Sequence, residues 1–353
     1  MSSPDTDSSV GPLVRSFFRE QCPAERVDAA EGVALAEDLW RKTEEMGLPG
    51  IGVDEAAGGS GGSVLDLVEV LKAQGAHAVP LPLAEVHLAR WAAARTGLGP
   101  DPGLAVLTPG DPRDTAAVMN DRIHGRLHDV PWGRAAHRVL TTIRLHDRLH
   151  VLAVPTACTT VKQGSDLAGQ PRDTLTMHGV ETFSSVWGGA PNAIWHRALL
   201  LRGALMAGAL EAVADLTRRY VTERVQFGRP IGKFQSVQEH VVHLEQMATM
   251  SLVAVDRAAR AHVIDEDSLE PALMKLLLNE NARLAVRAAH QAHGAIGMTR
   301  EYPLQLLTRR LNSWLGEWGT STHLAFGVGR RVTVNGIGEL ITRPTGAMEV
   351  GDA

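Results

Sequence analysis

From residue 193 to residue 332 the chain keeps a helical period almost without interruption, and that leaves few ways to fold. Four segments carry the period, 193–223, 234–263, 270–292 and 301–332, the last broken near Gly316–Gly319. In the first, Leu199, Leu200, Gly203, Met206, Ala207, Leu210, Val213 and Ala214 form one apolar stripe. Small residues on such a stripe let helices approach closely, so the expectation is an antiparallel four-helix bundle.

Two other textures precede it. Residues 11–98 are helical by spacing: Val33, Leu35, Ala36, Leu39 and Trp40 recur at three and four, as do Leu65, Leu67, Val68, Val70 and Leu71. Between them lies a glycine-rich stretch, 49–63, expected to be a flexible loop ending in Ser63 as a helix N-cap. Residues 104–190 alternate short apolar runs with prolines and glycines. Val139–Leu145 and Leu149–Val154 flank His146-Asp147-Arg148 as a β-hairpin would. The expected class is α+β: a helical domain over 1–99, an antiparallel β domain over 100–192 and the bundle over 193–353.

Composition closes off other classes. A 44% hydrophobic and 21% charged chain of 353 residues has ample material for a core. The net charge is −5 with no basic run, so neither nucleic acid nor an anionic membrane surface is an expected partner. The N-terminal residues lack a signal-peptide pattern, and no apolar run approaches the roughly 18 residues of a membrane span, so a cytoplasmic location is expected. Two cysteines, Cys22 and Cys158, exclude a disulfide framework.

Several chemical signatures are missing. The glycines of 58–62 follow a helix, and Val64 stands where a dinucleotide fingerprint needs its third glycine, so the loop reads as structural. The pairs His240/His243 and His290/His293 each share a helix face, yet no glutamate has a histidine three residues on; no metal site is expected. No Gly-x-Ser-x-Gly elbow occurs, and none of the five lysines stands in a Schiff-base context.

Two stretches stand out. Arg224-Val225-Gln226-Phe227-Gly228-Arg229-Pro230-Ile231-Gly232-Lys233-Phe234-Gln235 joins two long helices, and Gln291-Ala292-His293-Gly294-Ala295-Ile296-Gly297-Met298-Thr299-Arg300-Glu301-Tyr302-Pro303 joins two more. Glycines at helix ends either cap the connection or expose backbone N–H groups to a phosphate or ring; the residues alone leave both readings open.

Together the two stretches resemble the acyl-CoA dehydrogenase family, whose signatures look like Arg-x-x-Phe-Gly-x-x-Ile-x-x-x-Gln and Gln-x-x-Gly-Gly-x-Gly-x-x-x-Glu-Tyr-Pro. Ala295 replaces one glycine of the second. Leu39-Trp40, Met46 to Ile51 and Gly58 to Gly61 resemble the family's first domain, and the order of textures matches its architecture. The resemblance implies FAD, α,β-desaturation of an acyl-CoA thioester, and a tetramer. Arg224 would hold the pyrophosphate. Phe227 and Gln235 would meet the adenosine half, with Gln291, Gly294 and Gly297 reaching it from a neighbouring subunit and Thr320 lying near the same cofactor. The short chain resembles subunits of actinobacterial heterotetramers acting on bulky, steroid-derived acyl groups, which leaves a homotetramer and an α2β2 assembly both open.

Three departures bear on the chemistry. Where the family carries Thr-Glu-Pro and Gly-Ser-Asp, this chain reads Leu107-Thr108-Pro109-Gly110-Asp111-Pro112, and Val130-Pro131-Trp132 follows a compressed segment. The family's catalytic glutamate lies just before a Gly-Thr pair or near the start of the bundle's first helix. Counted from Arg309, the first position falls on Trp318, with Glu317 one residue earlier; counted from Arg224, the second falls on Ala198. Glu317 is therefore the candidate base only if the turn is one residue longer than usual, since one residue swings a helical side chain about 100° away. Otherwise it is a solvated or capping carboxylate, and a partner chain supplies the base.

Overall fold

Helices form where an apolar stripe can be buried and a cap can be found, and the first unit of the chain shows both conditions. The computed structural model describes residues 10–99, 103–108 and 110–336. The chain divides into two compact units, 1–191 and 192–353. In the first, α1 (Val10–Gln21), α2 (Ala24–Ala29), α3 (Glu37–Glu45), α4 (Val64–Ala76) and α5 (Leu83–Thr96) precede the sheets. Ser63 caps α4 as expected: its hydroxyl accepts from the Asp66 N–H while Asp66 accepts from the Ser63 N–H. Leu67, Val70 and Leu71 of α4 and Leu83, Val86 and Leu88 of α5 are buried. The stripe that starts at Val33 begins its helix only at Glu37; Val33 and Leu35 lie in the preceding connection.

The glycine-rich stretch is a folded loop, tighter than the flexible connection its composition suggests. Gly61 donates to the Val53 carbonyl, Ser60 Oγ donates to the Gly47 carbonyl, and a Cβ on Gly59 would stand 2.1 Å from the Val53 oxygen. It is a structural loop because its N–H groups serve its own backbone.

Eight strands follow: β1 (Ala105–Leu107), β2 (Ala117–Met119), β3 (Arg122–Pro131), β4 (Arg138–Leu145), β5 (Arg148–Pro155), β6 (Thr160–Lys162), β7 (Arg172–Glu181) and β8 (Phe183–Val186). They make two four-stranded sheets, ordered β1-β4-β5-β8 and β2-β3-β7-β6. The expected hairpin is β4–β5, turning on His146 and Asp147, both at positive φ, which suits the right-handed strand twist. The pairing is antiparallel except that β1 runs parallel to β4. The chain leaves β1 to build β2 and β3 in the other sheet, so it returns in the same direction.

A buried ion pair ties the second sheet to its loops. Asp173 on β7 is fully buried and accepts from the Arg134 guanidinium at 2.7 Å and from the N–H groups of Arg134 and Gly164. Removing one partner strands the other in a dry interior. Asp173→Ala should therefore cost on the order of 3–5 kcal/mol, read as a fall in the urea midpoint of the first transition.

The second unit opens with α6 (Ala193–Glu223). The short hairpin β9 (Val225–Gln226) and β10 (Arg229–Pro230) then leads into α7 (Gln235–Ile264), α8 (Glu270–His293), α9 (Leu304–Trp314) and α10 (Ser321–Asn335). All four expected helical segments are present, and the last breaks where Trp318 and Gly319 take φ of +61° and +152°. The seam between α6 and α8 is close. A Cβ on Gly203 would stand 2.4 Å from Met274 Cε, so a side chain there would have to displace the methionine tip that packs on this face.

Candidate functional site

The bundle has two chemically distinct ends, and the candidate residues sort between them. At one end α6 finishes at Glu223, and the chain turns back through Phe227 and Gly228, with φ of +51° and +78°. That tight turn projects the Phe227 ring into solvent; it is 90% exposed and meets Phe234 edge-on, at 6.0 Å between centroids. Arg224 and Gln235 are exposed beside it, Gln235 as the first residue of α7.

The end of α8 meets the same place. Tyr220, one turn before Arg224, stacks on His293 at 4.4 Å, and its hydroxyl donates to the His293 carbonyl at 3.3 Å. Tyr302 packs on both rings. Gly294, at φ +64°, ends α8 and leaves open space where a side chain would be, while Gly297 turns inward onto His293 and His290. Gln291 is exposed on the last turn. Arg224, Phe227, Gln235, Gln291 and Gly294 thus share one end of one chain's bundle. The aromatic stack joins the two motifs within one chain.

The other end holds Thr320, Glu317 and Trp318. Thr320 caps α10, accepting from the His323 N–H. Trp318 packs with Trp195 against Leu199, Ala272 and Leu324, and its carbonyl accepts from Trp195 Nε1 at 2.6 Å. The alternative base position, Ala198, is buried on α6. Glu317 turns into the bundle: its carboxylate lies 2.7 Å from the Arg202 guanidinium, with the two side chains 17% and 5% exposed. Lys275 stands nearby, and burial pushes its amine down to about 7. Sequence spacing singled out Glu317 but missed Arg202 and Lys275. They sit on apolar stripes and read as interruptions.

Along α6 the two ends are far apart. Arg202 and Arg224 are separated on the order of 30 Å, at about 1.5 Å per residue. In the first unit, Thr108 closes β1 with its Oγ1 buried and no partner, while Asp111 and Asp114 fold the following loop on itself through Arg113 and His128. Trp132 is buried beneath Arg172. Among the described residues no group of three metal-ligating side chains comes together, and no helix is long and apolar enough to cross a membrane.

A helical segment, paired sheets and a bundle with a glycine-capped, solvent-facing end define a recognisable class. The N-terminal domain model of acyl-CoA dehydrogenases matches residues 5–97 and the C-terminal domain model matches 195–325, together well over half the chain. The chain belongs to the acyl-CoA dehydrogenase family, a family of flavoproteins. The acyl-CoA dehydrogenase IpdE2 of Mycolicibacterium smegmatis is 28% identical over 309 residues, 84% of this chain and 89% of that protein. Among solved structures, the Tcur3481–Tcur3483 steroid ACAD G363A variant superposes with a TM-score of 0.85 at 22% identity, covering 93% of this chain and 97% of that one. The ChsE4–ChsE5 complex of Mycobacterium tuberculosis superposes with a TM-score of 0.82 at 21% identity, covering 94% and 98%.

Burial holds both His290 and His293 below the ordinary histidine value of 6.5. The unfolded chain then binds protons that the folded one refuses, so stability is lost as pH falls through 6.5 toward the lowered values. His293→Phe, which keeps the stack on Tyr220, should flatten this loss. Urea titrations at several pH values between about 5 and 7 give the slope, and an unchanged slope would show that His293 does not carry it.

Proposed function

We propose that the chain is a subunit of an FAD-dependent acyl-CoA dehydrogenase that desaturates an acyl-CoA thioester between its α and β carbons. One end of its bundle holds the adenosine half of FAD, and the working base comes from a partner chain. The residues fit that half of the cofactor: an exposed guanidinium at Arg224, an uncovered ring at Phe227, two exposed amides at Gln235 and Gln291, and open backbone at Gly294. Arg224 would bond a phosphate oxygen, Phe227 would cover the base, and the Gln side chains would meet its polar edge. Bound there, FAD supplies the acceptor for the β-hydrogen.

In the family that the sequence resembles the flavin spans a subunit interface, so Arg224 of one chain would share a cofactor with the Thr320 end of another, which calls for a dimer at least and fits a tetramer, homomeric or α2β2. Light scattering at micromolar concentration should find that tetramer; a monodisperse monomer would end the proposal. A reducing cytoplasm suits Cys22 and Cys158, neither of which is in a disulfide.

The observation that carries the assignment of the base is the Glu317–Arg202 pair at 2.7 Å. A base must be free to take the α-proton from the thioester, and the Glu317 carboxylate is engaged by the Arg202 guanidinium instead. Trp318 occupies the counted position with an indole, which has no proton-accepting site for this step. The acyl group to offer first is bulky and steroid-derived, the class named for the neighbouring steroid ACAD, compared with straight-chain acyl-CoA thioesters.

In the flavin-loaded assembly, Glu317→Gln should lower the rate less than about tenfold. A loss beyond about a hundredfold, the scale of a general base, would make Glu317 catalytic. Arg224→Ala should weaken FAD binding by about 1.5–3 kcal/mol, measured by flavin fluorescence on titration. Unchanged affinity would remove Arg224 from the cofactor site.

A further inference from the structure

The turn between α9 and α10 is held from inside the bundle by side chains that no step of the reaction uses. Lys275 is wholly buried on α8. Its amine donates to the Trp314 carbonyl at 3.0 Å and to Asn279 Oδ1 at 2.5 Å. One helical turn on, Asn279 Nδ2 donates to the Gly319 carbonyl at 3.5 Å. Arg202 reaches across from α6 to Glu317, and Trp195 donates to the Trp318 carbonyl. Trp314, Glu317, Trp318 and Gly319 are all tied to α6 or α8.

The turn needs such ties. A left-handed φ on a tryptophan is unfavourable and persists only where its surroundings over-determine it. The ammonium is also held at a cost. Desolvation lowers the amine toward about 7 and Arg202 pushes it the same way, while Glu317 opposes both. Methionine or leucine would fill the place without that penalty.

We propose that Lys275 is a positioning residue for this turn: its ammonium, acting through the Trp314 carbonyl, Asn279 and Glu317, holds Trp318 and Gly319 in their unusual backbone geometry, and the turn loosens when the amine gives up its proton. The neutral amine keeps N–H donors but loses the charge that makes such bonds roughly twice as strong, and Glu317 loses one of the two cations beside it. The charged groups facing the amine are Arg202 from α6 and Glu317 from the turn, with Asn279 the polar neighbour on its own helix. His196 on α6 and His323 on α10 also lie at this end of the bundle, but their rings meet Trp195. The consequence for the assembly is that the Trp318–Thr320 segment is ordered below neutral pH and looser above it.

The chain carries seven tryptophans, so incorporation of 5-fluorotryptophan gives few enough ¹⁹F resonances to assign, that of Trp318 by its loss in Trp318→Phe. In the full-length protein without flavin or substrate, the Trp318 resonance should titrate with a midpoint near 7. Glu317→Gln removes the charge that raises the amine, so the midpoint should fall; Arg202→Met removes the charge that lowers it, so the midpoint should rise. Lys275→Met should abolish the titration, and Lys275→Arg, charged throughout, should hold the resonance at its low-pH position. A Trp318 signal that stays put between about pH 5.5 and 8.5, or that titrates unchanged in Lys275→Met, overturns the proposal. Should Lys275→Met fail to fold, the two flanking variants decide: opposite shifts support it, and shifts of one sign or none overturn it. None of these readouts depends on flavin or turnover, so failure here leaves the assignment of the base untouched.

Discussion

The close seam between α6 and α8 sets the distances on which everything else depends. Gly203 takes the Met274 side chain against its bare backbone, and Leu199 meets Ala272 at the same interface. Side chains interdigitated in this way hold the two helices in register, because sliding one would unseat them. Two consequences follow. The C-terminal ends of α6 and α8 arrive together, so Tyr220 can stack on His293 and bring Arg224 beside Gly294. The other end arrives together too, so Arg202 and Lys275 meet the turn that carries Glu317. The seam is at once the scaffold and the ruler.

The charges buried beside that seam show a trade between stability and geometry. Arg202, Glu317 and Lys275 in one interior would be replaced with gain by apolar residues if stability alone were at stake. What they provide is directional: each donor reaches one atom of a turn whose backbone is otherwise unfavourable. Hydrophobic contacts around Trp318 cannot do this, because they fix how much surface is covered and leave the φ and ψ of the covered residue open. The polar cluster and the apolar cluster around Leu199 and Leu324 therefore divide the work.

Much of the architecture was legible because it rests on short-range periodicity. The bounds of α6, α7 and α8 lie within a residue or two of the pattern, the break at Gly316–Gly319 falls where two residues leave the helical region, and Ser63 caps α4 through an interaction with a residue three positions away. Where the pattern misled, a competing local or topological effect intervened. Val33 and Leu35 keep a helical spacing but lie in a connection. β1 pairs parallel to β4 because of a crossover that no local residue announces. The stretch at 49–63 looked flexible because its glycines are permissive, yet their lack of side chains lets Val53 and Gly61 bond.

The sequence by itself offered candidates for a cofactor site: a guanidinium, an aromatic, two glutamines and two glycines at fixed intervals are local facts of the chain. It could not assign them to ends. Arg224 and Gln291 are 67 positions apart and share one end of the bundle only because α6 and α8 run side by side in the same direction. Arg224 and Glu317 are kept apart by the run of α6 from Arg202 to its end. The role of Glu317 was undecidable for the same reason: a carboxylate is a base or a counter-ion according to what stands beside it, and Arg202 and Lys275 come from helices distant in sequence. Periodicity is written in neighbours along the chain, whereas charge environment is written in neighbours across it, and only packing brings those together.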